Sequence, residues 1–316
     1  MKKRKIFFRA DANANIGYGH YIRSLALAEM LRNDYECCFF TASPTLYQIG
    51  EAEKVCKCIA LKEDNKLETF LEYLSGDEIV VLDNYFYASE YQYKIKAIGC
   101  KLVCIDDMHD KHYFADLVIN HAVTDRSLFD IEPYTKLCLG LEYALLRPPF
   151  LKVLNVERTK DTWLIAFGGT DVDNLTEKFI QILNSDVAPT KISVIVGDAY
   201  QYIENLRKYK NISIYKNLSA DQMRRLMCST EYAILPSSTI CIEALFSDCK
   251  IASGFDVDNQ TEFYSILKEK NLVYPLENLL EFSEANLVNN IRSFSFNKSI
   301  NIDNVQNRIL EAFNGL

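Results

Sequence analysis

Short apolar runs alternate with longer amphipathic segments along the chain, the pattern of parallel sheets covered by helices. Runs at about 5–9, 36–41, 78–83, 101–106 and 116–120 read as strands of a first half. Runs at about 162–168, 191–196, 211–215, 231–236 and 249–254 read as strands of a second. Between them, residues 21–32, 64–74, 174–184, 219–228 and 239–247 space their apolar positions as helices do, and a last helix is expected at about 302–314. The pattern breaks near 147–161. There Arg147-Pro148-Pro149 stops the preceding element, and the polar stretch 155–161 reads as a hinge. The expected fold class is α/β, with two Rossmann-like domains on parallel sheets, residues 1–150 and 151–316.

Length agrees with two domains, because 316 residues exceed what one core of roughly 250–300 residues holds. A hydrophobic share of 49% with 25% charged residues is that of a folded globular chain, not a disordered one. The net charge of −8 argues against a nucleic-acid partner, whose phosphates call for clustered Lys and Arg. It leaves anionic small molecules open, since backbone N–H groups and helix N-termini hold phosphates without net positive charge. The ten cysteines include no C-x₂-C pair, so neither a zinc ribbon nor a thioredoxin motif is spelled out. Many unpaired thiols suit a reducing compartment. The basic start is followed by only Ile6-Phe7-Phe8, too short a run for a signal peptide. No segment approaches the roughly 18 apolar residues of a membrane span. A cytoplasmic protein with no membrane insertion is expected, with a monomer favoured.

Open α/β sheets bind ligands beyond the carboxyl ends of their strands, and five segments stand there. Asp11 is followed by Gly17-Tyr18-Gly19-His20 and a helix whose free amides face the same space. A dinucleotide fingerprint fails, because its third glycine would fall at Ile22 and no acid closes the run 36–41. His20 reads equally as an acid–base residue or as a helix-cap histidine. Gly168-Gly169-Thr170-Asp171 reads as a phosphate-binding turn or as a plain strand–helix turn. Ser237-Ser238 opens a helix in which Glu243 either grips a sugar diol or complements the helix dipole. Asp106, Asp107, His109 and His112 are metal-ligand types, but their spacing fixes no geometry, and a polar loop is the preferred reading. Asp256-Val-Asp258-Asn259-Gln260 reads as a helix cap.

These segments, in this order, resemble one family, the UDP-2,4-diacetamido-2,4,6-trideoxy-β-L-altropyranose hydrolases of pseudaminic acid biosynthesis. The most specific match is Arg9-x-Asp11 followed by Ile16-Gly-Tyr-Gly-His20-x-x-Arg23. Val81-Leu-Asp83-Asn-Tyr85, Cys104-Ile-Asp106-Asp107, Gly140-x-x-Tyr143-Ala-Leu-Leu-Arg147, Gly168-Gly-Thr-Asp171, Ser237-Ser238 with Glu243, and Asn259-Gln260 continue it, so that it runs from about residue 5 to 275. The resemblance implies a glycosyltransferase B-like fold, with UDP on the C-terminal half and the sugar in the cleft. It implies that His20 is the catalytic histidine, Tyr85 a substrate-contacting tyrosine of the catalytic group, and Asn259 a polar cleft residue. Asp11, Gly17, Gly19, Arg23, Asp106 and Asp107 fall in the motifs expected to meet the substrate. Glu243 would bind the ribose, Gly168, Gly169, Thr170, Ser237 and Ser238 the pyrophosphate, and the backbone near Leu218 the uracil. The product would feed surface-glycan or flagellin glycosylation.

The implied reaction is hydrolysis at the anomeric carbon. UDP is already a good leaving group, so amides and a helix dipole can absorb its growing charge. One base placing one water predicts inversion, and no metal or other cofactor is called for. Two other readings use the same donor site: a UDP-sugar-dependent glycosyltransferase, and a nucleotide-sugar-binding protein without catalysis.

Overall fold

The computed structural model describes residues 3–13, 18–186, 191–197, 199–283, 285–297 and 304–316. The chain divides into two compact units, Met1–Pro148 with Asn301–Leu316, and Pro149–Ile300. The division falls inside the Pro148-Pro149 pair, within the expected break.

In the first unit, β1 (Lys5–Arg9), α1 (Gly19–Leu31), β2 (Glu36–Ala42), α2 (Leu46–Glu53), β3 (Lys57–Leu61), α3 (Lys66–Leu71), β4 (Ile79–Leu82), α4 (Ser89–Ile98) and β5 (Lys101–Ile105) alternate regularly. The short β6 (His112–Tyr113), β7 (Leu117–Asn120), the short β8 (Asp130–Ile131) and β9 (Lys136–Leu139) follow. Seven of these strands form a parallel sheet in the order β3-β2-β1-β4-β5-β7-β9. All four residues of β4, Ile79 to Leu82, and all four of β7, Leu117 to Asn120, are buried, as expected of strands covered on both faces. Each such apolar side chain contributes about 1.5–3 kcal/mol by leaving water.

The second unit repeats the plan with β10 (Thr159–Ala166), α5 (Leu175–Ser185), β11 (Lys191–Val196), α6 (Ile203–Leu206), β12 (Ile212–Lys216), α7 (Ala220–Ser229), β13 (Thr230–Pro236), α8 (Thr239–Leu245), β14 (Lys250–Phe255), α9 (Thr261–Glu269), β15 (Val273–Asn278) and α10 (Leu287–Ser293). Its six strands pair in parallel in the order β12-β11-β10-β13-β14-β15. Trp163, Phe179, Ile192, Val194 and Ile234 anchor its core. The chain ends in α11 (Val305–Asn314), which joins the first unit rather than the second. Val305, Ile309 and Phe313 lie one helical face apart and are buried, Gln306 donates to the Met30 carbonyl, and the Tyr35 hydroxyl donates to Asn314.

The expected α/β class with two parallel Rossmann-like sheets is borne out. Three strands of the two large sheets lie outside the expected set, as do β6 and β8, which pair with each other. β3 buries only Leu61 and β9 only Cys138, and β15 is interrupted by Pro275 at the sheet edge. The hinge is shorter than expected, because β10 already begins at Thr159 beside Thr230. In both sheets the order runs outward from the first strand. The β1/β4 and β10/β13 boundaries are therefore the switch points where an open sheet leaves a crevice. No helix among the described residues is long and apolar enough to cross a membrane.

Candidate active site

The first switch point gathers its chemistry from strand ends distant in sequence. β1 leads through the loop after Arg9 into α1, which carries His20, Arg23 and Ser24 on its first turns. β4 leads directly into Asp83, Asn84 and Tyr85. Asp83 is fully buried and collects donors: His20 Nδ1 at 2.7 Å, Arg23 Nε at 2.7 Å and Nη2 at 2.6 Å, and Ser24 Oγ at 2.9 Å. Burial alone would raise its carboxyl, but Arg23 and His20 hold it below the usual carboxylate range. Arg23 Nη2 also lies 3.1 Å from His20 Nδ1. The Asp83 contact is the shorter, and Nη2 has its own carboxylate partner, so Nδ1–H donates to Asp83. Nε2 is then the ring atom available for proton transfer.

Arg23 reaches further. Its Nη1 lies 2.6 and 2.7 Å from the two oxygens of Asp107, beyond β5. Burial would raise the Asp107 carboxyl, but Arg23, with His121, holds it well below the ordinary range. The Tyr85 hydroxyl donates to Asp107 at 3.2 Å, and the Tyr85 ring meets the His20 ring edge-on with centroids 4.5 Å apart. His121, beyond β7, is buried, and burial pushes its imidazole down to about 4 against the opposing pull of Asp107.

Asp11, just beyond β1, is held separately. Asp11 pairs with Arg9 and Lys66 and accepts from the Ala42 amide at 2.7 Å. The Asn84 side chain accepts from the Asp11 amide and donates to its carbonyl. Asp106 turns inward as well, accepting from the His109 amide and the Tyr113 hydroxyl. Gly19 is the first residue of α1 and has no positive φ. Gly17 lies outside the described residues. The site thus brings together His20, Arg23, Tyr85 and Asp107, and adds Asp83, Ser24 and His121, which had no expected role. His112 is elsewhere, bound to Asp130 and Glu132. No metal-binding group of three or more His, Cys, Asp or Glu occurs among the described residues.

In the second unit the turn after β10 has Gly168 in the left-handed region, at φ +81°, and leaves open space beside it. Gly197, after β11, comes so close to the Gly169 backbone that any side chain there would clash. The first amides of α5 are not open to an anion. Asp171 caps them, accepting from Leu175 and Thr176 at 2.8 Å each. The N-terminus of α8 differs, with Ser238 at its cap making no side-chain bond to it. Ser237 is buried, its hydroxyl tied to Ser253 at 2.8 Å. Glu243 is buried on α8, Thr170 and Leu218 are half-buried, and Asn259 is exposed in the turn before α9.

No family model matches the chain. It is 31% identical over 283 residues to the uncharacterized protein MJ1062 of Methanocaldococcus jannaschii, covering 82% of this chain and only 57% of that one. It is 25% identical over 282 residues to the UDP-2,4-diacetamido-2,4,6-trideoxy-β-L-altropyranose hydrolase of Campylobacter jejuni, covering 84% of this chain and 97% of that protein. The motif resemblance is thereby borne out across most of the sequence. Among solved structures, Anabaena HepE in complex with UDP-glucose matches with a TM-score of 0.64 at 10% identity, over 99% of this chain and all of that one. The calicheamicin glycosyltransferase CalG4 matches at 0.62 and 10% identity, over 99% and 95%. The fold is the glycosyltransferase B fold.

Proposed function

We propose that this chain is a metal-independent enzyme acting on a UDP-sugar, and that it transfers the sugar to water with inversion at the anomeric carbon. The observation that carries the reading is the His20–Asp83 pair at the β1/β4 switch point. An imidazole held by a buried carboxylate through Nδ1 presents Nε2 as a base. The 25% identity to the Campylobacter hydrolase supports the reading of the substrate as a UDP-linked 2,4-diacetamido-2,4,6-trideoxy sugar.

In this reading His20 Nε2 accepts a proton from water as the water oxygen bonds to the anomeric carbon. The C–O bond to UDP breaks on the opposite face, and its electron pair leaves on the β-phosphate oxygen. The second unit holds the nucleotide: the Gly168-Gly169-Thr170 turn and the Ser237-Ser238 backbone offer amides to the pyrophosphate, Glu243 meets the ribose, and the backbone near Leu218 the uracil. Because Asp171 already occupies the α5 amides, the pyrophosphate falls to the turn itself and to α8. In the first unit Tyr85 meets the sugar, while Asp11 and Asp106 are engaged internally.

Purified protein given UDP-sugars without any acceptor should release UDP, most rapidly from the diacetamido sugar. UDP release that requires an added hydroxyl acceptor would instead identify a transferase.

A further inference from the structure

Arg23 is the meeting point of two carboxylates that belong to different strand ends. Its guanidinium, 4% exposed, spends Nε and Nη2 on Asp83 and Nη1 on Asp107. A substrate group would have to displace one of these charge-assisted bonds, which are among the stronger ones in proteins. We infer that Arg23 is a positioning residue: it locks Asp83 and Asp107 in place and takes up their charge, so that Asp83 orients the His20 imidazole without trapping a proton on it. This inference rests on the reading of His20 as the base.

The charges around the ring support it. His20 faces Asp83 from the end of β4, Arg23 from its own helix, the Tyr85 ring from beyond β4, and Asp107, through Arg23 and Tyr85, from beyond β5. His121, beyond β7, adds a neutral neighbour that feels Asp107 and Arg23. Two carboxylates and one guanidinium thus surround a single imidazole. Remove the guanidinium, and both negative charges act on the group best able to answer them with a proton, which is His20. A base already protonated cannot accept the proton of the attacking water.

The test is the pH–rate profile of Arg23→Gln, Arg23→Lys and Asp107→Asn beside the wild type, with UDP binding and thermal unfolding followed for each. In Arg23→Gln the acid limb of kcat should move to higher pH by about one unit or more, with KM changed less than about threefold. Arg23→Lys, which keeps the charge, should restore most of the limb. Asp107→Asn leaves all of Arg23's charge to Asp83 and should move the limb the opposite way, so the inference stays testable if Arg23→Gln does not fold. A limb unmoved in Asp107→Asn and in folded Arg23→Gln overturns it, as does a KM raised more than about tenfold with the limb in place, the mark of a substrate contact. His20→Asn separates the two levels. If the limb survives there, the base assignment itself falls; if it is lost there but unmoved by the other variants, only the role of Arg23 falls.

Discussion

At the scale of single residues, the proposed hydrolysis turns on His20 and the charged groups packed around it. His20→Asn should leave UDP binding, assigned to the second unit, nearly intact while cutting turnover by roughly 10²–10⁴-fold, the usual share of a general base. Calorimetry and a UDP-release assay on one preparation check both halves of that statement. His121 bears on stability. Burial depresses its folded pKa to about 4, below the roughly 6.5 of an unfolded histidine, so below 6.5 the unfolded chain gains a proton that the folded chain refuses. The stability at stake, up to roughly 3 kcal/mol, is fully present above pH 6.5 and is lost as pH falls towards 4. His121→Gln should flatten denaturant-measured stability across that window, and an equally steep fall in the variant would contradict it. Asp83 and Asp107 have depressed values, so their contribution persists through this window and is lost only at lower pH.

At the scale of elements, the strand-to-helix turns differ in which backbone amides they leave open. Asp171 closes α5 against anions, and Asp171→Ala should cost about 1 kcal/mol through two orphaned amides, read as a lowered Tm. No change in Tm would mean the cap is replaced by water. Most of the strands legible in the sequence are buried on both faces, such as β4, whose continuous apolar run stands out from the amphipathic segments around it. β15 hid its periodicity behind Pro275, and β3 lies at an edge where half-exposed Cys58 and Ile59 and exposed Ala60 carry little pattern. The site was legible to the same degree. His20 stood out because it follows glycines at a helix start, and Arg23 because it shares that helix. The motif Val81-Leu-Asp83-Asn-Tyr85 was visible too, yet only Tyr85 gained a role from it. Asp83 meets His20 across 63 positions, a pairing made by the β1/β4 neighbourhood and by nothing local in the chain.

At the scale of the whole molecule, one plan is used twice: an open parallel sheet with a switch point beside its first strand, furnished with the buried His20–Asp83 pair in one unit and with the Gly168-Gly169 turn after β10 in the other. The proposed division of labour follows from that furnishing, with chemistry assigned to the first unit and the nucleotide to the second. The most direct test is the acceptor-free reaction with the UDP-linked 2,4-diacetamido-2,4,6-trideoxy sugar in ¹⁸O water, followed early by NMR and mass spectrometry. UDP should be released, the sugar should first appear as the inverted anomer, and ¹⁸O should be carried on the sugar and not on UDP. A retained anomer, ¹⁸O on the released phosphate, or no UDP without an added acceptor would contradict the proposed reaction.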